Sequence, residues 1–262
     1  MKQEQIQHYA DELYGALREQ RMVEPLTERE KSITIEDAYA ISSHMLQRRI
    51  ADGEKLIGKK IGVSSKAVQR MLNVHQPDFG YLTDAMLVEE GEPLSLSKKM
   101  IQPRAEGEIA FVLKRDLVGP GVTPTDVLRA TDFVVPCFEI VDSRVRDWKI
   151  KIQDTVADNA SCGYFLLGQD AADPKKIDLS TCGMVMEKNG SVISTGAGAA
   201  ALGASPVTCV AWLANTLGQL GTSLQAGDVI LSGSLVPLEP IKAGDHMSVS
   251  IGGIGRTAVV FE

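Results

Sequence analysis

Arg104-Ala-Glu106-Gly-Glu108-Ile-Ala-Phe-Val-Leu113 and Val134-Val-Pro-Cys-Phe-Glu139-Ile-Val-Asp142-Ser-Arg144 are the two stretches on which the fold turns. In an extended strand side chains alternate between faces, so Glu106 and Glu108 project to one side while Ile109, Phe111 and Leu113 project to the other. Gly107, between the two carboxylates, leaves the opposite face open to close packing. Glu139 stands alone in a second apolar run, where an unpaired carboxylate is costly to bury. If the two strands are neighbours, three carboxylates converge with no His or Cys ligand among them, and such an all-oxygen set suits a hard divalent cation, Mg²⁺ or Mn²⁺. Glu-Gly-Glu on a strand also suits a solvated sheet face, and a buried ion pair with Arg104 or Arg144 would also account for Glu139. Both readings stand at this point.

The rest of the composition frames that pair. A chain of 262 residues with 44% hydrophobic and 23% charged residues has the make-up of a soluble globular protein with a full-sized core. A net charge of -7 with no basic run argues against nucleic acid or an anionic membrane as partner. The polar N-terminus carries no signal-peptide pattern and no apolar stretch is long enough to span a bilayer, so a cytoplasmic location is expected. The 4 cysteines are widely spaced without C-x-x-C, which indicates neither a zinc site nor a disulfide framework.

Working outward, Ile6, Tyr9, Ala10, Leu13 and Leu17 are spaced for an amphipathic helix over about residues 3–21, and Thr34-Ile-Glu-Asp37 reads as a capping box opening a second. From Lys55 the texture changes to a glycine-dotted strand, Leu56 to Val63, then a short helix over Ser65 to Met71. Val74 to Tyr81 reads as an irregular loop, and residues 85 to 115 as strands. Thr123-Pro124 opens another helix. Residues 142–161 are dense in charge yet interspersed with apolar side chains, too apolar for a purely solvated loop. Asn189-Gly190 marks a hairpin, Ser205-Pro206 starts a helix, and the remainder reads as strands. The order predicts an α+β fold: a helical N-terminal region, residues 1–54, and a β-rich catalytic domain, residues 55–262, built on a mixed, rolled sheet.

Several motifs fail. Gly196-Ala-Gly198-Ala-Ala-Ala201 matches a dinucleotide fingerprint only nominally, without the acidic residue that should follow, and close helix packing explains it better. There is no P-loop and no nucleophile elbow. Of the four histidines only His75 falls in a loop suited to function. Lys59-Lys60 in a strand sends one lysine to each face. An inward lysine either stays charged beside carboxylates and holds an oxyanion, or loses its proton in an apolar pocket and acts as a base; an ion pair with Asp78 or Asp84 is the structural alternative.

Gly58-Lys-Lys-Ile-Gly-Val63, Gln76-Pro-Asp-Phe-Gly-Tyr-Leu-Thr-Asp84, Pro103 to Phe111, Cys137 to Arg144, Ala157-Asp-Asn-Ala-Ser161 and Gly196 to Gly203 together resemble the 2-hydroxypenta-2,4-dienoate (2-oxopent-4-enoate) hydratases of meta-cleavage aromatic degradation. These belong, with the 4-oxalocrotonate decarboxylases, to the fumarylacetoacetate hydrolase superfamily. The resemblance covers nearly the whole chain. It implies a mixed β-roll, a divalent metal held by Glu106, Glu108 and Glu139, and an active-site lysine and aspartate at Lys60 and Asp78. Ser161 and the turn Ser232-Gly233-Ser234 are weaker candidates for gripping a substrate carboxylate. The decarboxylases read Gly-Leu-Lys where this chain has Gly58-Lys59-Lys60 and lack the Asn73-to-Gly80 form of the loop, so the chain sides with the hydratases. The implied reaction is hydration of 2-hydroxypenta-2,4-dienoate to 4-hydroxy-2-oxopentanoate. The alternatives are a decarboxylase or related 2-oxo acid C–C lyase or hydrolase on the same scaffold, and a non-catalytic scaffold subunit. The last has no chemical need for the intact Glu106, Glu108, Glu139 and Lys60 set. The expected partners are a small 2-oxo or 2-hydroxy dienoate substrate, further copies of the chain in a homo-oligomer, and the decarboxylase.

Overall fold

The computed structural model describes residues 1–71 and 73–262. Three helices come first, α1 (Gln3–Glu19), α2 (Leu26–Arg29) and α3 (Ile35–Ala51). Thr34 caps α3 by accepting the Asp37 N–H at 3.1 Å while Asp37 accepts the Thr34 N–H, the reciprocal arrangement its sequence predicts. Then follow β1 (Leu56–Gly62), α4 (Lys66–Met71), β2 (Asp78–Thr83), β3 (Leu87–Val88), α5 (Leu96–Lys99), β4 (Pro103–Leu113), α6 (Pro124–Ala130), β5 (Thr131–Asp142), α7 (Ile152–Ala157) and β6 (Cys162–Leu167). The last part holds β7 (Gly183–Lys188), β8 (Ser191–Ala197), α8 (Pro206–Gln219), β9 (Val229–Leu231), β10 (Glu239–Pro240), β11 (His246–Ile251) and β12 (Gly255–Val260).

The strands form two sheets. The larger runs β2-β1-β9-β4-β5-β6-β3, with β10 added beside β4, and is mixed, since β1–β9 and β3–β6 are parallel and its other pairs antiparallel. The smaller runs β12-β11-β7-β8, with Asn189 and Gly190 both at positive φ in the β7–β8 turn, as a tight hairpin of this sequence requires. The main core lies between the sheets and under α8, where Ile109, Phe111 and Phe138 meet Met184, Met186, Met247 and Val249. A second core joins α1 and α3 to α7 through Leu13, Ile41, Met45, Val156 and Ala157.

At Gly107 the small sheet packs closely on β4. A Cβ there would lie 2.8 Å from Met184 Sδ and 2.9 Å from Val249 Cγ1. Gly107→Ala should therefore overpack a filled interface and cost about 1–3 kcal/mol; urea unfolding should show a lower midpoint at unchanged slope, and an unchanged midpoint would contradict this packing.

The structure departs from the sequence expectation at three places. Residues 78–81, read as loop, belong to β2, because ladder bonds to β1 outweigh the local Pro-Asp-Phe-Gly turn chemistry. The stretch 85–115 contains the helical turn α5 as well as strands. Gly196 and Gly198 do serve close packing, but against backbone carbonyls of Leu235 and Leu179 rather than a helix.

Candidate active site

Antiparallel pairing of β4 and β5 sets Glu106 opposite Glu139 and Glu108 opposite Cys137, so all three carboxylates point from one face of the large sheet. Each offers an oxygen within 4.8 Å of the others. Glu108 and Glu139 are 0% exposed, and Glu106 is half-buried at the rim. Burial, and then the charge of Glu139, pushes Glu106 up to about 8; the same causes push Glu108 well above the carboxylate range. The Gly233 N–H donates to Glu108 Oε2 at 2.8 Å, while Glu108 Oε1 and both Glu139 oxygens have no hydrogen-bond partner. Orphaned, converging carboxylate oxygens in a dry site are what a hard divalent cation satisfies, and the donor set fits one.

Lys60 meets this cluster from β1. Its Nζ lies 3.1 Å from Glu139 Oε1, an ion pair without the alignment of a hydrogen bond. The cation Glu139 needs is thus Lys60. Arg144 pairs with Asp158 instead, and Arg104 lies over the Trp148 ring. Burial alone would depress Lys60, but the acidic groups around it, Glu139 foremost, outweigh that and raise it above its ordinary value. These neighbours favour its charged form, the one suited to holding an oxyanion. Lys59 points to the other face and pairs with Asp228 at 2.8 Å, so the alternation expected of these lysines holds and both are buried. Asp78, opposite Gly62 across β1–β2, is 1% exposed with neither oxygen hydrogen-bonded. Burial raises it to about 6, with Lys60 pulling the other way. Gly62 leaves room for this carboxylate, since a Cβ there would collide with Asp78 Oδ1 and come within 3.3 Å of Lys60 Nζ.

The remaining predicted residues are placed differently. The Ser232 hydroxyl donates to the Ile109 carbonyl at 2.7 Å and that of Ser234 to the Val236 carbonyl at 2.6 Å, so both hold the turn; only the Gly233 N–H reaches the acidic cluster. The buried Ser161 hydroxyl lies 3.3 Å from Thr155 Oγ1 and 3.5 Å from Asp158 Oδ2.

A cavity of about 380 Å³ opens beside Asp78, walled by Ile35, Tyr39, Val74, His75, Ile152 and Val156. Among the described residues no lysine or arginine lines it. Tyr39, which sequence reading missed, stacks on Phe79 with ring centroids 4.4 Å apart; burial and then the nearby Asp78 charge raise its phenol. Its only signal was an aromatic at the partly buried edge of α3.

The fumarylacetoacetate (FAA) hydrolase C-terminal family matches residues 55–261. A 2-hydroxypent-2,4-dienoate hydratase of Pseudomonas putida is 68% identical over 216 residues, covering 82% of this chain and 97% of that protein. A 2-hydroxyhexa-2,4-dienoate hydratase of Comamonas testosteroni is 58% identical over 257 residues, 98% of this chain and 97% of that one. Among solved structures, a 4-oxalocrotonate decarboxylase from Pseudomonas putida complexed with magnesium and adipate superposes with a TM-score of 0.96 at 36% identity, covering 100% of this chain and 99% of that one.

Proposed function

This chain belongs to the fumarylacetoacetate hydrolase C-terminal family, and we propose that it is a divalent-metal-dependent hydro-lyase that adds water to 2-hydroxypenta-2,4-dienoate, giving 4-hydroxy-2-oxopentanoate. The observation that carries this reading is the convergence of Glu106 with the orphaned Glu108 and Glu139 oxygens beside a buried lysine, in a chain 68% and 58% identical to two dienoate hydratases.

In this proposal Glu106, Glu108 and Glu139 hold Mg²⁺ or Mn²⁺. When bound, such an ion would supply Lewis-acid stabilisation of the negative charge that develops on the substrate's 2-oxygen. Lys60 Nζ donates to the same oxygen, and its neighbours keep it charged for that role. The dienol loses its hydroxyl proton and gains one at C5; water then adds across C3=C4, oxygen to C4 and hydrogen to C3. Asp78, raised to about 6, is poised to accept and return a proton near neutral pH. Ser161 and the Ser232-Gly233-Ser234 turn support the site from behind, Gly233 by holding Glu108.

The cavity beside Asp78, whose polar lining among the described residues includes Asn73, His75 and Gln76, favours the hydratase over the decarboxylase through its lack of a strong cation. A dicarboxylate's far carboxylate would meet Asp78 there and no described lysine or arginine. In the proposed division, residues 1–54 supply one cavity wall through Ile35 and Tyr39 and residues 55–262 form the catalytic domain. No helix among the described residues is long and apolar enough to cross a membrane. A cytoplasmic role in meta-cleavage degradation, as a homo-oligomer able to associate with the decarboxylase, completes the proposal.

The test follows dienol absorbance of freshly generated 2-hydroxypenta-2,4-dienoate with EDTA-treated protein, before and after Mg²⁺ or Mn²⁺, with product identified by mass. Metal-dependent loss with gain of one water is expected. CO₂ release from 4-oxalocrotonate without hydration of the dienoate would transfer the chain to the sister activity.

Metal binding should also release protons. With Glu106 at about 8, that carboxyl carries a proton at pH 7 that a cation must displace, and burial pushes Glu108 in the same direction, so affinity should tighten as pH rises toward and past 8. Calorimetry of Mg²⁺ binding at pH 7 should give apparent enthalpies that differ between buffers of high and low ionisation enthalpy. Equal enthalpies would contradict these protonation states.

A further inference from the structure

We propose that Asn159 is a positioning residue that fixes β2, and with it the Asp78 carboxylate, against Lys60. The inference rests on the reading of Asp78 as the proton-transfer group beside Lys60. β2 is an outermost strand of the large sheet and, among the described residues, pairs only with β1. At Tyr81 its outward N–H and C=O face away from β1, and one side chain meets both. The Tyr81 N–H donates to Asn159 Oδ1 at 2.7 Å, and Asn159 Nδ2 donates to the Tyr81 carbonyl at 3.0 Å. The amide stands where the next strand would be. Gly80 makes the approach possible, since a Cβ there would collide with the Asn159 carbonyl. Gly80 is in register with Lys60, and Asp78 with Gly62, so whatever holds Gly80 and Tyr81 sets where Asp78 sits beside Lys60.

The clamp is built on backbone that would not hold itself. Asn159, Ala160 and Ser161 have φ of 55°, 50° and 53°, a left-handed run that Asn tolerates and that Ala and Ser disfavour. Arg144 secures it. The fully buried guanidinium donates to the carbonyls of Asp158 and Cys162, which bracket the run, and pairs through Nε with the Asp158 carboxylate. Glu106, Glu108 and Glu139 sit on β4 and β5, held by their own ladder. Loosening β2 should therefore disturb proton handling and leave the carboxylate cluster intact.

Asn159→Gly keeps the left-handed freedom and deletes both hydrogen bonds, and Asn159→Asp keeps the acceptor for the Tyr81 N–H and loses the donor. In the full-length protein, kcat of Asn159→Gly should fall roughly 10- to 100-fold, with KM and calorimetric Mg²⁺ affinity each within about threefold of wild type, and Asn159→Asp should lie between. Amide exchange in residues 78–83 should quicken at least about tenfold in Asn159→Gly while residues 103–113 exchange as in wild type. Unchanged exchange in β2, unchanged kcat, or a Mg²⁺ affinity that falls in step with kcat would each overturn the assignment. If the wild-type protein does not hydrate the dienoate, the functional reading fails, and the exchange comparison still decides the clamp.

Discussion

Glu106→Gln should abolish metal-dependent turnover and, without metal, leave a protein more stable than wild type at pH 8. The activity loss follows from removing one of three converging anionic ligands. Lewis-acid stabilisation is worth several kcal/mol, so at about 1.4 kcal/mol per decade kcat should drop roughly 10³-fold. The stability gain follows from the same crowding. Burial and Glu139 raise Glu106 from an ordinary carboxylate to about 8, so between these two values the folded chain holds a proton that the unfolded chain has lost. Stability then falls as pH rises through that window, and the loss is complete above it. Glutamine carries no such loss. In EDTA the variant should match wild type near pH 5 and exceed it at pH 8, while Mg²⁺ should raise the melting temperature of wild type alone. Thermal unfolding at both pH values with and without Mg²⁺, beside the dienol assay, checks both halves. A variant that still responds to Mg²⁺ with undiminished turnover would remove Glu106 from the ligand set.

Which parts of this site were legible in the sequence depends on the range of the interaction responsible. The common face of Glu106 and Glu108 follows from strand alternation, and Glu139 declared itself as a charge in an apolar run; the register that brings it opposite Glu106 adds only that the strands be neighbours. The caps at Thr34 and Thr123 and the Asn189-Gly190 turn are equally local. What escaped is set by groups far apart in the chain. β2 looked like a loop because its order comes from β1 on one side and, at Tyr81, from an amide 78 residues away on the other. The partner of Glu139 was sought in Arg104 on β4 and Arg144 just past the end of β5, whereas it is a lysine on β1. The Ser232-Gly233-Ser234 turn drew attention for gripping a substrate carboxylate through hydroxyl or backbone N–H groups, yet its hydroxyls act on backbone carbonyls and its Gly233 N–H donates to Glu108.

Arg144 should prove the most costly single side chain to remove. It is 0% exposed, and its guanidinium reaches the Asp158 carboxylate and the carbonyls of Asp142, Asp158 and Cys162, tying the end of β5 to the start of β6. Methionine fills comparable space but supplies no charge and no donors. The expense lies in what is left behind, since Asp158 is also 0% exposed and would keep an uncompensated charge, a situation that costs about 3–5 kcal/mol. At roughly 2–4 °C per kcal/mol for a chain of this size, Arg144→Met should melt on the order of 10 °C lower. The deficit should depend on pH. In the wild type burial already raises Asp158 to about 6, with Arg144 pulling it down; without the arginine it rises further. A carboxyl raised in the folded state costs stability as pH climbs from its unfolded value to its folded one, so the gap between variant and wild type should widen from pH 5 to pH 8. Adding Asp158→Asn to Arg144→Met removes the stranded charge and should recover part of the loss, most of it at pH 8. A deficit independent of pH and untouched by the second substitution would mean that lost packing, not the orphaned carboxylate, sets the cost.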